Sequence, residues 1–428
     1  MDNKFKKYIV FWLSQSVSQL GSAMTGFALI LWVYTVNHSA FTVSMMSFCS
    51  YVPYIIVSLF AGTFVDRHSK KKIMLVSDTI AAVCTCFIFS MWIFGGLQIW
   101  HIYIVNSVIG FMNAFQSPAS SVAIGKMVPK EKLANVSGMN SFSGNLVSVL
   151  TPVIASFLFA ISGLKAILMI DLGSFLFAFL VLLLVIHIPE DEVKEENKTS
   201  AFAGCKEGYQ FLIRNKAIFV IVITMALINF LSRLTYENIL SPMILARSGD
   251  DSLTLGIVSA VMGIGGIIGG VIVSAGKMSK DNIKTIYLSA AFSFLLGDLL
   301  MGAGRNVVIW SFAGLAASLP IPFINAAQNV ILYRMVPENM QGRIFAVRNA
   351  IQYSTIPAGI LLGGFLADYV FEPYMQGENT VTSALHMIVG EGAGSGMAVM
   401  FLCTGILGSM SSIICYLKLR KYRDEMTW

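Results

Sequence analysis

Six ionisable side chains lie within, or at the end of, long apolar stretches of the chain: Asp78, Asp171, Arg233, Glu237, Asp298 and Asp368. A charge placed in hydrocarbon costs about 3 kcal/mol on insertion scales, so such residues are the first candidates for ion pathways, proton relays or buried pairs. Asp78, Asp171, Glu237 and Asp298 are carboxyls able to carry a proton or face a cation. Arg233 and Glu237 stand four residues apart, on one helical face where they can pair, with Asn229 one turn earlier. A cavity-lining stripe and a structural pair are both open readings of that face.

Amide and hydroxyl side chains follow the same helical spacing. Asn106, Gly110, Asn113 and Gln116 form one line, and Asn325, Gln328 and Asn329 form another. Ser14, Ser18 and Ser22 lie on one line, with Gln15 and Gln19 on the next. Stripes of this kind suit a central cavity between two halves of a helical protein. Hydrogen bonding between neighbouring helices is the alternative for each residue taken singly.

Enzyme chemistry has no comparable support. The five histidines are scattered, and neither HExxH nor GxSxG occurs, so no catalytic residue, metal site or cofactor is expected. The tracts GIGGIIGG (263–270) and GEGAGSG (390–396) lack a preceding strand and a Walker lysine. The first reads as close helix packing and the second as a pliable entry to the last apolar segment. Cys84 and Cys86 are two apart and point to different sides of a helix, which argues for packing over metal or redox work.

The elements that must position these residues are membrane spans. The 428 residues are 56% hydrophobic and only 12% charged, against about 25% charged in soluble domains, which argues against a soluble enzyme. Apolar runs long enough to cross a bilayer predict twelve spans, near 8–36, 41–65, 72–94, 99–118, 138–161, 164–187, 217–240, 254–276, 282–304, 307–329, 343–370 and 393–417. The start, MDNKFKK, runs into the first span without the features of a cleavable signal, so that helix is expected to stay as an anchor.

Of the 29 Lys and Arg residues, 25 fall at the termini or in even-numbered connections. By the positive-inside rule both termini face the cytoplasm, and the net charge of +6 is a topology signal that calls for no nucleic-acid partner. The run PEDEVKEENKTS (189–200) reads as a solvated linker, and the following AGCKEGYQFLIRNK as a surface helix. The expected organisation is a first six-helix half (1–188), a linker and surface helix (189–216), and a second six-helix half (217–428). The halves echo each other: FMNAFQ (111–116) answers FINAAQ (323–328), and MVP (127–129) answers MVP (335–337).

Between the second and third spans, GTFVDRHSKK supplies Gly62, Asp66, Arg67, Lys70 and Lys71 in an arrangement that resembles the loop signature of the major facilitator superfamily, with Ser69 in place of its second glycine. The resemblance covers the whole chain. It implies an all-α polytopic membrane protein of twelve transmembrane helices in two pseudo-symmetric six-helix halves. Asp66 can accept hydrogen bonds from Arg67 or from a helix N-terminus, forming with Gly62, Lys70, Lys71 and a supporting Asp78 a latch that breaks as the protein changes the side it faces. The lysines also serve topology.

Within that family the runs VDRHSKKKIMLVSD, NAFQSPA and LADYVF look most like the drug-efflux branch that includes macrolide exporters. That likeness implies proton-driven export of amphipathic compounds from the cell membrane by a monomer whose partners are the bilayer and its small-molecule cargo. Asn106 stands nearest to where proton-coupled members often carry an arginine, and Thr151-Pro152 is what remains of the antiporter signature in span five. The coupling acid is therefore open among Asp78, Asp171, Glu237 and Asp298. Import or lipid translocation by the same fold, and a non-transporting scaffold, are the other readings. The outer segment 371–392 has no assigned role.

Overall fold

In hydrocarbon every backbone N–H and C=O must find its partner within the chain, and this sequence meets that demand with helices. The computed structural model describes residues 3–128, 132–186, 188, 201–276, 279, 281–337 and 340–420, and no strand occurs among them. The linker 189–200 and the side chains of Asp66 and Cys205 lie outside the described residues.

In chain order the helices are α1 (Asn3–Asn37), α2 (Ala40–Arg67), α3 (Lys70–Ile93), α4 (Ile99–Met127), α5 (Leu133–Ser162), α6 (Leu164–Leu180), α7 (Ala201–Arg214), α8 (Lys216–Arg233), α9 (Leu240–Ser248), α10 (Ser252–Ser274), α11 (Asn282–Phe292), α12 (Leu299–Ala303), α13 (Val307–Ser318), α14 (Ile321–Met335), α15 (Gln341–Leu366), α16 (Glu372–Met375), α17 (Thr380–Val389) and α18 (Ser395–Leu419). Wider π-turns extend α6 (Val181–Val185), join α11 to α12 (Ser293–Asp298) and join α15 to α16 (Ala367–Phe371).

Eleven helical segments among the described residues are long and apolar enough to cross a membrane. The expected fourth span, α4, is a helix of 29 residues, about 43 Å long, but His101, Asn106, Asn113 and Gln116 dilute its apolar character. Length admits it as a span, and its polar stripe keeps it out of the eleven.

Two breaks differ from continuous spans. The expected seventh span, 217–240, stops as a helix at Arg233, and residues 234–239 form turns before α9. The Leu234 carbonyl there lies where a Cβ on Gly363 of α15 would have to go. Buried Asn238 donates from Nδ2 to the Ile360 carbonyl at 2.8 Å and to the Ser44 hydroxyl at 2.6 Å, so this side chain ties the turn to α15 and the start of α2. The expected tenth span breaks between α13 and α14, where Pro320 and Pro322 remove two backbone donors and start a new helix.

The chain forms two compact units, Met1–His38 with Met45–Glu195, and Ser39–Ser44 with Glu196–Trp428. In the first, α1 packs on α6 and α5, and α3 on α4, around Tyr8, Phe11, Met74, Ala119 and Leu182. In the second, α11 packs on α14 and α18, and α10 on α13, around Ile221, Tyr287, Phe294 and Ile331. A Cβ on Gly265 or Gly269 of α10 would strike Ser318 or the Leu319 carbonyl, so this glycine tract serves close helix packing. Helix α7 buries Leu212 and leaves Tyr209 and Ile213 half exposed, an amphipathic arrangement against α8 and α15.

Candidate functional site

Five helices of the first unit line an open cavity of about 740 Å³. Helix α1 contributes Gln15, Gln19, Ser22 and Thr25; α3 contributes Asp78 and Thr85; α4 contributes Asn106, Asn113 and Gln116; α6 contributes Asp171. Tyr51 and Tyr54 of α2 complete the polar wall, and no Lys or Arg is among the lining residues. The stripes on the first and fourth expected spans thus meet in one space.

The close approach of the walls has a local cause. A Cβ on Gly110 would strike the Ser50 carbonyl, so glycine at this point lets α4 lie against the backbone of α2. One turn earlier, Asn106 donates from Nδ2 to the Met46 carbonyl at 3.2 Å, holding the same contact. Between α1 and α6, Gly21 leaves room for Ser174 and the Asp171 backbone, which brings the next turn of α1 onto the Asp171 carboxylate.

Asp171 is only 4% exposed. Its Oδ1 accepts from the Ser22 hydroxyl at 3.0 Å, and its Oδ2 accepts from Thr25 at 2.9 Å and Thr85 at 3.0 Å. Three hydroxyls from two neighbouring helices thus satisfy one carboxylate. Sequence reasoning does not find these partners as a group: Ser22 and Thr25, three apart on α1, signal a shared face, but nothing local pairs that face with α6.

Asp78 sits differently from its expected place beside the charged loop. It lines the cavity, and its Oδ1 accepts from the Gln116 side-chain amide at 2.5 Å. Position 78 lies more than two helical turns into α3 from Lys70, and α4 offers Gln116 at that depth.

In the charged loop, Ser69 is the N-cap of α3, accepting from the Lys72 backbone N–H at 3.4 Å with φ of −59°, a conformation that requires no glycine. Lys71 donates from Nζ to the Leu183 and Ile186 carbonyls at 2.9 and 2.7 Å, satisfying the open carbonyl end after α6. Arg67 is exposed, and Gly62 has open space around it. Lys70 opens α3.

The remaining candidates lie in the second unit. Arg233 and Glu237 form an ion pair, though the helix ends at Arg233 and the pair closes across the turn rather than along a helical face. Asn229 is half-buried, Asn325 is exposed, and Gln328 on the next turn is buried. Asp298 is 0% exposed and accepts from the Thr404 hydroxyl at 2.7 Å, with the Tyr236 phenol beside it. None of these six lines the cavity of the first unit.

Two carboxylates of the second unit act as helix caps that the sequence does not reveal. Asp368 accepts from the Ser39 hydroxyl and from the backbone N–H groups of Ala40 and Phe41, at the start of α2. Glu372 accepts from the N–H groups of Gly394 and Met397 at the start of α18. In the outer segment, Arg305 donates to the Met387 carbonyl at 2.8 Å, and Arg247 to the Val389 carbonyl, so two cations hold the C-terminal end of α17. The described cysteines, Cys49, Cys84, Cys86, Cys403 and Cys415, are free, and no cluster suited to a metal ion occurs among the described residues.

Comparison with known proteins follows the same lines. The family model described as Major Facilitator Superfamily matches residues 11–371. Macrolide efflux protein A of Streptococcus pyogenes is 25% identical over 371 residues, covering 85% of this chain and 90% of that one. A macrolide efflux protein A from Enterococcus faecalis is 25% identical over 322 residues, covering 74% of this chain and 98% of that one. The crystal structure of the nucleoside transporter NupG superposes with a TM-score of 0.70 at 12% identity, covering 99% of this chain and 100% of that one, which is a likeness of fold.

Proposed function

The chain belongs to the major facilitator superfamily, a multi-pass membrane transporter and not an enzyme, and from that membership we propose that it exports amphipathic small molecules, macrolide-like drugs among them, in exchange for protons. The observation that carries this reading is the cavity of the first unit. Its volume of about 740 Å³ suits a drug-sized molecule, and its wall combines amides and tyrosines with two carboxylates and no basic side chain. Such a wall favours a cargo with an apolar body and a positive charge. The efflux proteins among its relatives point the same way.

The export cycle is alternating access, in which the cavity opens to one side of the membrane at a time. Protons moving inward supply the driving force. The protein works as a monomer in the cell membrane with both termini in the cytoplasm, the side that the 25 clustered basic residues select.

Energised cells expressing the chain are loaded with a labelled macrolide or a fluorescent cationic dye, and retention is followed with and without a protonophore. Faster loss than from empty-vector cells, abolished by the protonophore, is the expected result. Equal retention of both compounds in the two cell types overturns drug export, and faster entry points to import by the same fold.

A further inference from the structure

We propose that Asp171, with its three hydroxyl partners, is the group that binds the coupling proton. The proposal rests on the proton-exchange reading above and assigns the exchange to one side chain.

The chemistry of the partners distinguishes Asp171 from the two carboxylates that cap helices of the second unit. Glu372 is held by backbone N–H groups, which can only donate, and Asp368 by two such groups and the Ser39 hydroxyl, whose oxygen already accepts from the Thr42 N–H and hydroxyl, so a proton arriving at either carboxylate has no open hydroxyl oxygen to be handed to. A hydroxyl both donates and accepts. Around the ionised Asp171, the hydroxyls of Ser22, Thr25 and Thr85 all donate. Thr85 Oγ1 also lies 3.3 Å from the Ala81 carbonyl on its own helix. When Asp171 takes a proton on Oδ2, that new O–H donates to Thr85 Oγ1, and the Thr85 hydrogen turns to the Ala81 carbonyl. Both protonation states are then hydrogen-bonded without movement of a heavy atom.

Access completes the requirement. Asp171 lines the cavity, so its proton comes from cavity water when the cavity is open to the outside and returns to cavity water when it is open to the cytoplasm. Of the helices packed on α6, α1 and α5 bring no charged side chain to this cavity, and α3 brings Asp78. Tyr51 and Tyr54 of α2 are the other titratable side chains in the wall.

The second unit contains the same pairing in a sealed form. Asp298 accepts from Thr404, whose Oγ1 also lies 3.2 Å from the Phe401 carbonyl, so the same hydroxyl turn is available. The members have exchanged helices: in the first unit the carboxyl is on the sixth expected span and the threonine on the third, and in the second unit the carboxyl is on the ninth and the threonine on the twelfth. With 0% exposure, Asp298 lacks the contact with cavity water that Asp171 has. The molecule therefore carries its own control.

The test is infrared difference spectroscopy of the purified full chain in lipid vesicles, stepping the pH and reading the carboxylic C=O band, followed by transport driven by an imposed pH gradient. The expected result is a titrating band that is lost in Asp171→Asn, kept in Asp298→Asn, shifted in frequency by Thr85→Val and restored by Thr85→Ser. The Thr85 pair keeps the question answerable should Asp171→Asn fail to fold. A band unchanged by both Asp171→Asn and Thr85→Val, or no titrating band in the unaltered protein, overturns the assignment. If the band behaves as expected and neither the macrolide nor the dye moves, the export reading fails and the proton site stands. If both compounds are driven by the gradient in Asp171→Asn as in the unaltered protein, export stands and the coupling role of Asp171 falls.

Discussion

Asp368 accepts a hydrogen bond from the Ser39 hydroxyl at 2.6 Å across 329 positions of sequence. The same carboxylate takes the N–H groups of Ala40 and Phe41, at 3.1 and 2.9 Å, so one side chain from the end of α15 caps the first turn of α2. Charge on the carboxylate and the positive end of the helix reinforce these bonds. Gly364, one turn before Asp368, leaves the space that Ser44 and Phe41 occupy, which is what allows the approach.

Asp368→Ala removes the cap and leaves two backbone donors unsatisfied. A loss of about 2 kcal/mol in stability is expected, with Ser39→Ala costing about 1 kcal/mol. Thermal unfolding of the purified protein in detergent checks both, and an unchanged midpoint in Asp368→Ala would remove the cap from the account.

Gly110→Val places carbon where the Ser50 carbonyl lies. A backbone atom cannot swing away as a side chain does, so α2 and α4 must separate at a cost of about 1–3 kcal/mol. Folded yield and thermal stability are expected to fall for Gly110→Val and to hold for Gly125→Ala, where a Cβ meets open space.

Lys71 satisfies the carbonyls of Leu183 and Ile186, a role that depends on reach and hydrogen-bond donation rather than on charge in the loop as a whole. Lys71→Met is expected to cost about 1 kcal/mol of stability while the termini stay on the same side of the membrane. Lys72→Met is expected to cost less. Terminal tags probed for accessibility in intact cells, together with thermal unfolding, separate capping from topology.

Asp78 faces the proposed cargo with one oxygen held by Gln116. Asp78→Asn is expected to lower export of a monocationic dye by about tenfold, equivalent to about 1.4 kcal/mol, and to leave export of an uncharged compound within about twofold. Equal losses for both compounds would show that Asp78 holds the wall together without recognising charge.

Much of the architecture is legible in the chain itself. Long apolar stretches, the asymmetry of Lys and Arg and the echo of FMNAFQ in FINAAQ are local properties, and a bilayer acts on each segment's length and polarity separately. The alignment of Asn106, Asn113 and Gln116 on one helical line is likewise legible, because the helix repeat alone decides which residues share a face. The break after Arg233 is not, since it is stabilised by Asn238 reaching Ser44 and Ile360, far away in sequence.

The carboxylate of Asp171 shows the division most clearly. Composition and hydropathy determined that an acid stood inside a span, and spacing determined that Ser22 and Thr25 shared a face. That this face, and Thr85, would meet Asp171 was decided only by the packing of α1, α3 and α6, which joins residues up to 149 positions apart. Helix periodicity specifies the rotation of a side chain about its own axis. It carries no information on which neighbouring helix will stand there, and that choice is made by close packing of whole surfaces, here at Gly21, where α1 and α6 come near enough for a hydroxyl to reach a carboxylate.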